Sequence, residues 1–379
     1  MPEFSIVAAI EPLASMPIVH GWTPAVSFTI AEDAALAFQF SRNSKFAMLA
    51  LDGIYSELPD AEFQLSDGTW AMPRVPAVAD LGKWKEWIGS IRAGSLERAN
   101  LVLLIEEESS KPLILDDVHN RLREGLVQLF YFLHFRQGIE CAGAIEPDLL
   151  CGSCTEGGPI IRQMNKLPAF RQSRGYIRAP ITEDWLKESL ALRSGSKVIG
   201  SAAGEFQRVI RGLNVLFSGL RETGQERLHQ LVRSLEAIIL PDTGKTKKQF
   251  VNRCQTFALS GAAAQLALQE IFDMRSDTEH LQDWNRAVQT YPVAEREDVC
   301  WQRTRQAERL ACFAYSRVLL DMAIHGHFRT DDTLAQFWKL PDDKRHAIWG
   351  KALDITKEPR HSKFDQWGRA VVWAQRLPA

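Results

Sequence analysis

The sequence predicts an α+β fold: an N-terminal domain of mixed strands and helices, followed by an all-α helical bundle. Three observations predict it. The first half carries short apolar or alternating runs separated by Pro, Asp and Asn, which is the pattern of strands. The second half repeats apolar residues at three- and four-residue intervals over stretches long enough for helices. Between the halves, residues 195–204 intersperse Gly with Ser and form the expected linker.

Taken in order, strands are expected at residues 4–10, 25–30, 35–40, 46–51 and 101–105, with one more at 111–115. Asp116 or Asp117 is placed to cap a helix running to about residue 135, in which Leu122, Leu126, Leu129, Phe130 and Leu133 recur near helical spacing. Residues 138–180, rich in Gly, Pro and Cys, read as loops with short strands. Residues 205–221 put Phe206, Val209, Ile210, Leu213, Phe217 and Leu220 on one helical face, and residues 225–240 do the same with Leu228, Leu231, Val232, Leu235 and Ile239. Pro241-Asp242-Thr243-Gly244 ends that helix, and helices at 247–259 and 262–275 follow around a break at Gly261. Residues 295–325 read as one long helix, charged early and apolar late. A tail from about residue 331 holds one or two shorter helices, and Trp338, Trp349, Trp367 and Trp373 suit it to pack on the bundle or a partner. The result is an up-and-down bundle of four or five helices. The domains are then 1–195 (α+β, sensing or recruitment), 200–330 (bundle) and 331–379 (helical tail).

Composition narrows the function classes. The chain has 379 residues, 45% of them hydrophobic and 24% charged, which is the profile of a soluble globular protein with material for two or three domains. A formal net charge of −2 supplies no global basic field, so any RNA contact must come from a local patch. Six cysteines are too sparse for a disulfide scaffold. The first residues carry Glu3 and Glu11 and lack the basic region of a signal peptide, and no run of about 18 uncharged apolar residues predicts a membrane span. A cytoplasmic location away from membranes is the expectation.

The candidate chemistry lies at Arg275-Ser276-Asp277-Thr278-Glu279-His280, at the end of an apolar helix. Arginine grips a phosphate with two parallel N–H donors, and histidine takes or gives a proton near neutral pH. Together they suffice to cut an RNA backbone without a metal, because RNA supplies its own 2′-OH nucleophile. In a straight helix the two residues sit roughly 140° apart, so they converge only if the helix distorts near Ser276–Asp277 or a second subunit completes the site. Asp277 and Glu279 flank the pair and would favour a protonated His280 or pair with Arg275. The bland reading is a solvated helix end with Arg275 bridged to Asp277 or Glu279.

The residues around this motif resemble a HEPN domain of the kind found in ApeA-type and related prokaryotic defence proteins, over residues 205–327. The segment Leu231-Val232-Arg233-Ser234-Leu235-Glu236-Ala237-Ile238 is similar to the family's ALExLL helix. The segment Lys247-Lys248-Gln249-Phe250-Val251-Asn252-Arg253 resembles its next helix, and Ile271-Phe272-Asp273-Met274-Arg275-Ser276 resembles its approach to the R-x4–6-H motif. This chain has Leu281 where the family often has Gly after the histidine, and Ser276 where it commonly has Asn, His or Asp. The resemblance implies a homodimer in which two such motifs face each other across one cleft. It also implies a metal-independent endoribonuclease acting in phage defence or stress response as an antiviral toxin, without a cofactor, set off by a protein partner or a phage-derived trigger. The alternative it leaves open is a non-catalytic HEPN module that dimerises and binds RNA, a nucleotide or a protein.

Lys245, Lys247, Lys248 and Arg253 form a basic segment that would hold the RNA backbone, against the plainer reading of solvated lysines. Gly244-Lys245-Thr246 resembles the end of a phosphate loop, but Ile239 stands where that motif needs a glycine. Cys151-Gly152-Ser153-Cys154 is a CxxC. A zinc site there, completed by Cys141 and His134, is a weak candidate beside ordinary loop cysteines, and a redox role is weaker still. Arg303, Arg305 and Arg309 read as part of a salt-bridged helix surface.

Overall fold

The computed structural model of the chain describes residues 40–52, 56, 58, 62–75, 89–136, 147–156, 158–167 and 181–358. The strands expected at 4–10 and 25–30, nearly all of that at 35–40, and Cys141, Trp367 and Trp373 lie outside the described residues. The fold is α+β: an antiparallel sheet precedes a mostly helical region, and both belong to one compact unit.

The sheet consists of β1 (Ser44–Asp52), β2 (Phe63–Ser66), β3 (Thr69–Met72), β4 (Ala99–Glu108), β5 (Asp148–Thr155) and β6 (Gly158–Lys166), in the order β2-β3-β4-β1-β5-β6. β1 is central because Phe46 to Leu51 is an unbroken apolar run that buries both of its faces. Phe46, Met48 and Ala50 pack with Leu96 of helix α1 (Ser90–Glu97). Ala47, Leu49 and Leu51 pack under α2 (Asp117–Arg136) through Leu122, Leu126, Leu129 and Leu133. Asp116 starts α2 as expected, accepting a hydrogen bond from Val118 N at 3.0 Å. Its carboxylate also receives Lys45 Nζ at 2.6 Å, which pairs a fully buried ammonium on β1.

Several local expectations are corrected. Residues 111–115 are a turn, held by Ser153 donating to the Pro112 carbonyl, and not a strand. In the 138–180 region the described residues 147–156 and 158–167 hold β5 and β6, longer than the short strands expected there, and the rest of that region lies outside the described residues. Most of the expected linker is helical, since α3 runs Glu183–Ser201. Gly195 serves close packing there: a Cβ at this position would come within 3.0 Å of the Leu319 carbonyl carbon.

The helices that follow are α4 (Gln207–Gly219), α5 (Gly224–Ile239), α6 (Thr246–Cys254), α7 (Ala262–Glu279), α8 (Val293–Leu320), α9 (Met322–Phe328), α10 (Asp331–Lys339) and α11 (Asp342–Trp349). Helix α6 stops at Cys254, short of the expected residue 259, because the chain turns so that Leu259 N donates to the Leu353 carbonyl at 2.7 Å. The long helix breaks at Asp321, whose carboxylate accepts from Ala323 N and starts α9. Trp338 and Trp349 pack on the bundle: Trp338 Nε1 donates to the Ile238 carbonyl at 3.1 Å, and Trp349 is fully buried beside Phe257. Arg303 and Arg305 are buried rather than on a surface, Arg303 donating from Nε to Glu270 at 2.6 Å. Arg227 on α5 likewise reaches Glu308 on α8 at 2.6 Å inside the bundle. No helix among the described residues is long and apolar enough to cross a membrane.

Candidate active site

Helix α7 carries Arg275 and ends at His280. Its apolar residues Ala264, Ala267, Leu268, Ile271 and Met274 are buried, which fixes its rotation about its own axis. It keeps helical geometry through Glu279. His280 is the C-terminal cap, its N–H bonded to the Ser276 carbonyl at 3.1 Å, and Leu281 turns left-handed with φ 55°. The distortion at Ser276–Asp277 that would bring Arg275 and His280 together is absent. By helical rotation Gln265, Gln269, Asp273, Ser276 and His280 share one face of α7, and Arg275 and Glu279 share another.

The Arg275 face looks onto α5. Its Nη2 meets Glu236 at 3.1 Å, and its Nη1 donates to Glu279. The guanidinium carbon also lies 5.6 Å from the Phe272 ring centroid. Both members of the Arg275–Glu236 pair expose only 15% of their side chains, so the contact is well shielded from water. Burial raises the Glu236 carboxyl, and the Arg275 charge opposes that rise. The bridge to Glu279 is the one anticipated from sequence; Glu236 is the partner it missed.

The remaining residues of the motif hold the turn that follows. Asp277 is buried, its carboxyl is raised by burial, and its carbonyl accepts from Gln282 N at 2.8 Å. Thr278 Oγ1 receives Trp284 Nε1 at 2.9 Å. Ser276 is half-buried, and His280 is exposed at the helix end.

The basic segment separates into two roles. Lys245, Lys247 and Lys248 are exposed and, with Gly244, Thr246, Val251, Asn252, Gln265 and Gln269, line an open recess of about 520 Å³ between α6 and α7. Lys247 is tethered to Asp273 at 2.6 Å, on the same face of α7 as His280. Arg253 points elsewhere: it donates to the Ile239 and Leu240 carbonyls, closing the end of α5, and stacks near Trp338.

The cysteine motif lies within β5, where residues three apart face opposite sides of the sheet. Cys151 belongs to the core under α2, whereas the Cys154 thiol belongs to the other face, so the two do not chelate one ion. Burial pushes the Cys151 thiol up to about 11, far from reactive. His134 is buried in α2 against Phe130, and burial holds its imidazole well below its ordinary value. Among the described residues no group of three His, Cys, Asp or Glu side chains is placed to hold a metal ion.

Two functional candidates escaped the sequence reading. His229 and Arg233 lie on α5 at i and i+4, and with Glu226 and Glu236 they form one polar stripe, whose Glu236 meets Arg275 of α7. The signal was present in the 226, 229, 233, 236 spacing, within a helix read only for its apolar face. No family model, curated protein or solved structure matches this chain.

Proposed function

We propose that the α5–α7 face is the site of a metal-independent endoribonuclease of HEPN type. In this reading the 2′-OH of RNA attacks the adjacent phosphodiester, and the products are a 2′,3′-cyclic phosphate and a 5′-OH end. One observation carries it: a shielded arginine, Arg275, is held at a helix end by the carboxylates Glu236 and Glu279. Bridging carboxylates occupy the fork that a phosphate would take, and incoming RNA displaces Glu279, the more exposed of the two. Charge builds on the phosphoryl oxygens during attack, and the guanidinium meets it with two N–H donors. The exposed lysines 245 and 248 along the recess would draw the rest of the strand in by charge. His280 shares the helix face that lines the recess further along α7, away from Arg275. A homodimer bringing two such faces together belongs to the same proposal, as does a role in phage defence or stress, carried by the HEPN resemblance.

A second reading is a HEPN-like module that binds without cutting. It is favoured by the double ion pairing of Arg275, which a purely structural arginine would also show. Labelled RNA incubated with the protein in excess chelator separates the two. The nuclease reading expects cleavage with cyclic-phosphate ends and a loss of about 100-fold or more in Arg275→Ala. Cleavage that requires added divalent metal, or an Arg275→Ala variant as active as the parent, removes it in favour of the binding module.

A further inference from the structure

We propose that His229 of α5 is the imidazole that exchanges a proton with RNA beside Arg275. This rests on the ribonuclease reading of the same face. The register of the two helices places it there. Gln225 Nε2 reaches the Gln282 carbonyl at 3.4 Å near one end of the α5–α7 contact, and Glu236 meets Arg275 at 3.1 Å further along. The helices therefore run antiparallel, and His229 falls between these contacts, on the stripe that also holds Glu236. His280, by contrast, projects from the other face of α7.

The surroundings of His229 suit the task. Its ring is half-buried, and Nδ1 is sealed from solvent with no hydrogen-bond partner. With Nδ1 inward, exchange with a ligand runs through Nε2. Burial lowers its proton affinity, Arg275 on α7 and Arg233 on α5 lower it further, and Glu279 on α7 and Glu226 on α5 oppose them. These effects favour the neutral ring, the state a general base requires.

The step balances. The 2′-OH proton passes to Nε2 of His229 as the O2′–P bond forms. The P–O5′ bond breaks, O5′ takes a proton from solvent at this open helix end, and the hydroxide left behind reclaims the proton from His229. Arg275 holds the non-bridging oxygens throughout.

The test compares wild type, Arg275→Ala, His229→Gln and His229→Asn on labelled RNA in chelator, with RNA affinity and thermal unfolding measured alongside. The expected result is a fall of about 100-fold in kcat for both His229 variants, RNA affinity within about threefold, and loss of the acidic limb of the pH–rate profile. Wild-type cleavage abolished by Arg275→Ala but kept within threefold by both His229 variants overturns this assignment and spares the ribonuclease reading. A wild type that cuts no RNA removes both. Should the variants fail to fold, NMR of the wild-type imidazole signals decides. Saturation with a 2′-deoxy oligonucleotide analogue is expected to shift the His229 signal, and an unmoved signal overturns the assignment.

Discussion

Replacing Gly195 by alanine tests the closest approach between α3 and α8. In an unpacked helix this change stabilises, because alanine is favoured over glycine by about 1 kcal/mol. Here the new methyl overlaps the Leu319 carbonyl oxygen and lies 3.0 Å from its carbon. Backbone on one side and helix on the other leave no flexible group to yield, so α8 must retreat by roughly 1 Å through a close-packed interior. Overpacking of this kind costs about 1–3 kcal/mol, and more where backbone must shift. The clash outweighs the propensity gain, and the net expectation is about 2 kcal/mol of destabilisation. Gly200 is the internal control: it lies on the same helix, is exposed, and has nothing within 4 Å of its added Cβ. Gly200→Ala should stabilise by about 0.5–1 kcal/mol. At roughly 2 cal/mol/K per residue of unfolding entropy, a cooperative unit of this size moves by about 3 °C for 2 kcal/mol. Differential scanning calorimetry on the parent and both variants then shows melting temperatures moving in opposite directions. A Gly195→Ala protein that melts at or above the parent would refute the packing described between α3 and α8.

Two further outcomes follow from the buried charges. Arg227→Met removes the Arg227–Glu308 ion pair inside the bundle and should cost about 3–5 kcal/mol in urea denaturation, whereas the Arg227→Met, Glu308→Leu double variant recovers much of that loss; equal losses in the two would show that the pair is not coupled. His134 has its proton affinity lowered by burial and by the nearby Arg227 charge, so the unfolded chain binds the proton more tightly than the folded one. Its contribution to stability is therefore complete above about pH 6.5 and declines as pH falls below that value, by at most about 1.4 kcal/mol per pH unit. His134→Gln should flatten unfolding free energy against pH between 6.5 and 5, and an unchanged slope would contradict the burial assigned to this ring.

Residue pattern by itself determined the elements whose burial is self-evident from spacing. The run at Phe46–Leu51 had to be a strand, the stripes of α4 and α5 had to be helices, and Asp116 or Asp117 had to start α2, because each is a local match between side-chain period and backbone period. The arginine–carboxylate bridge at Arg275 and Glu279 was legible for the same reason, being one helical turn long. Tertiary structure alone decided everything that depends on a second element. Gly195–Ser201 became helix because α8 lies against it. Asp321 broke a helix that its sequence could have continued. Arg303 left the surface because Glu270 waited in the interior. The candidate site divides along the same line. The sequence marked Arg275 and His280 by proximity along the chain. Rotation of α7 turned them to different faces, and the antiparallel packing of α5 brought His229 and Glu236 to the arginine, because which side chains meet across two helices is set by crossing geometry that a linear spacing does not encode.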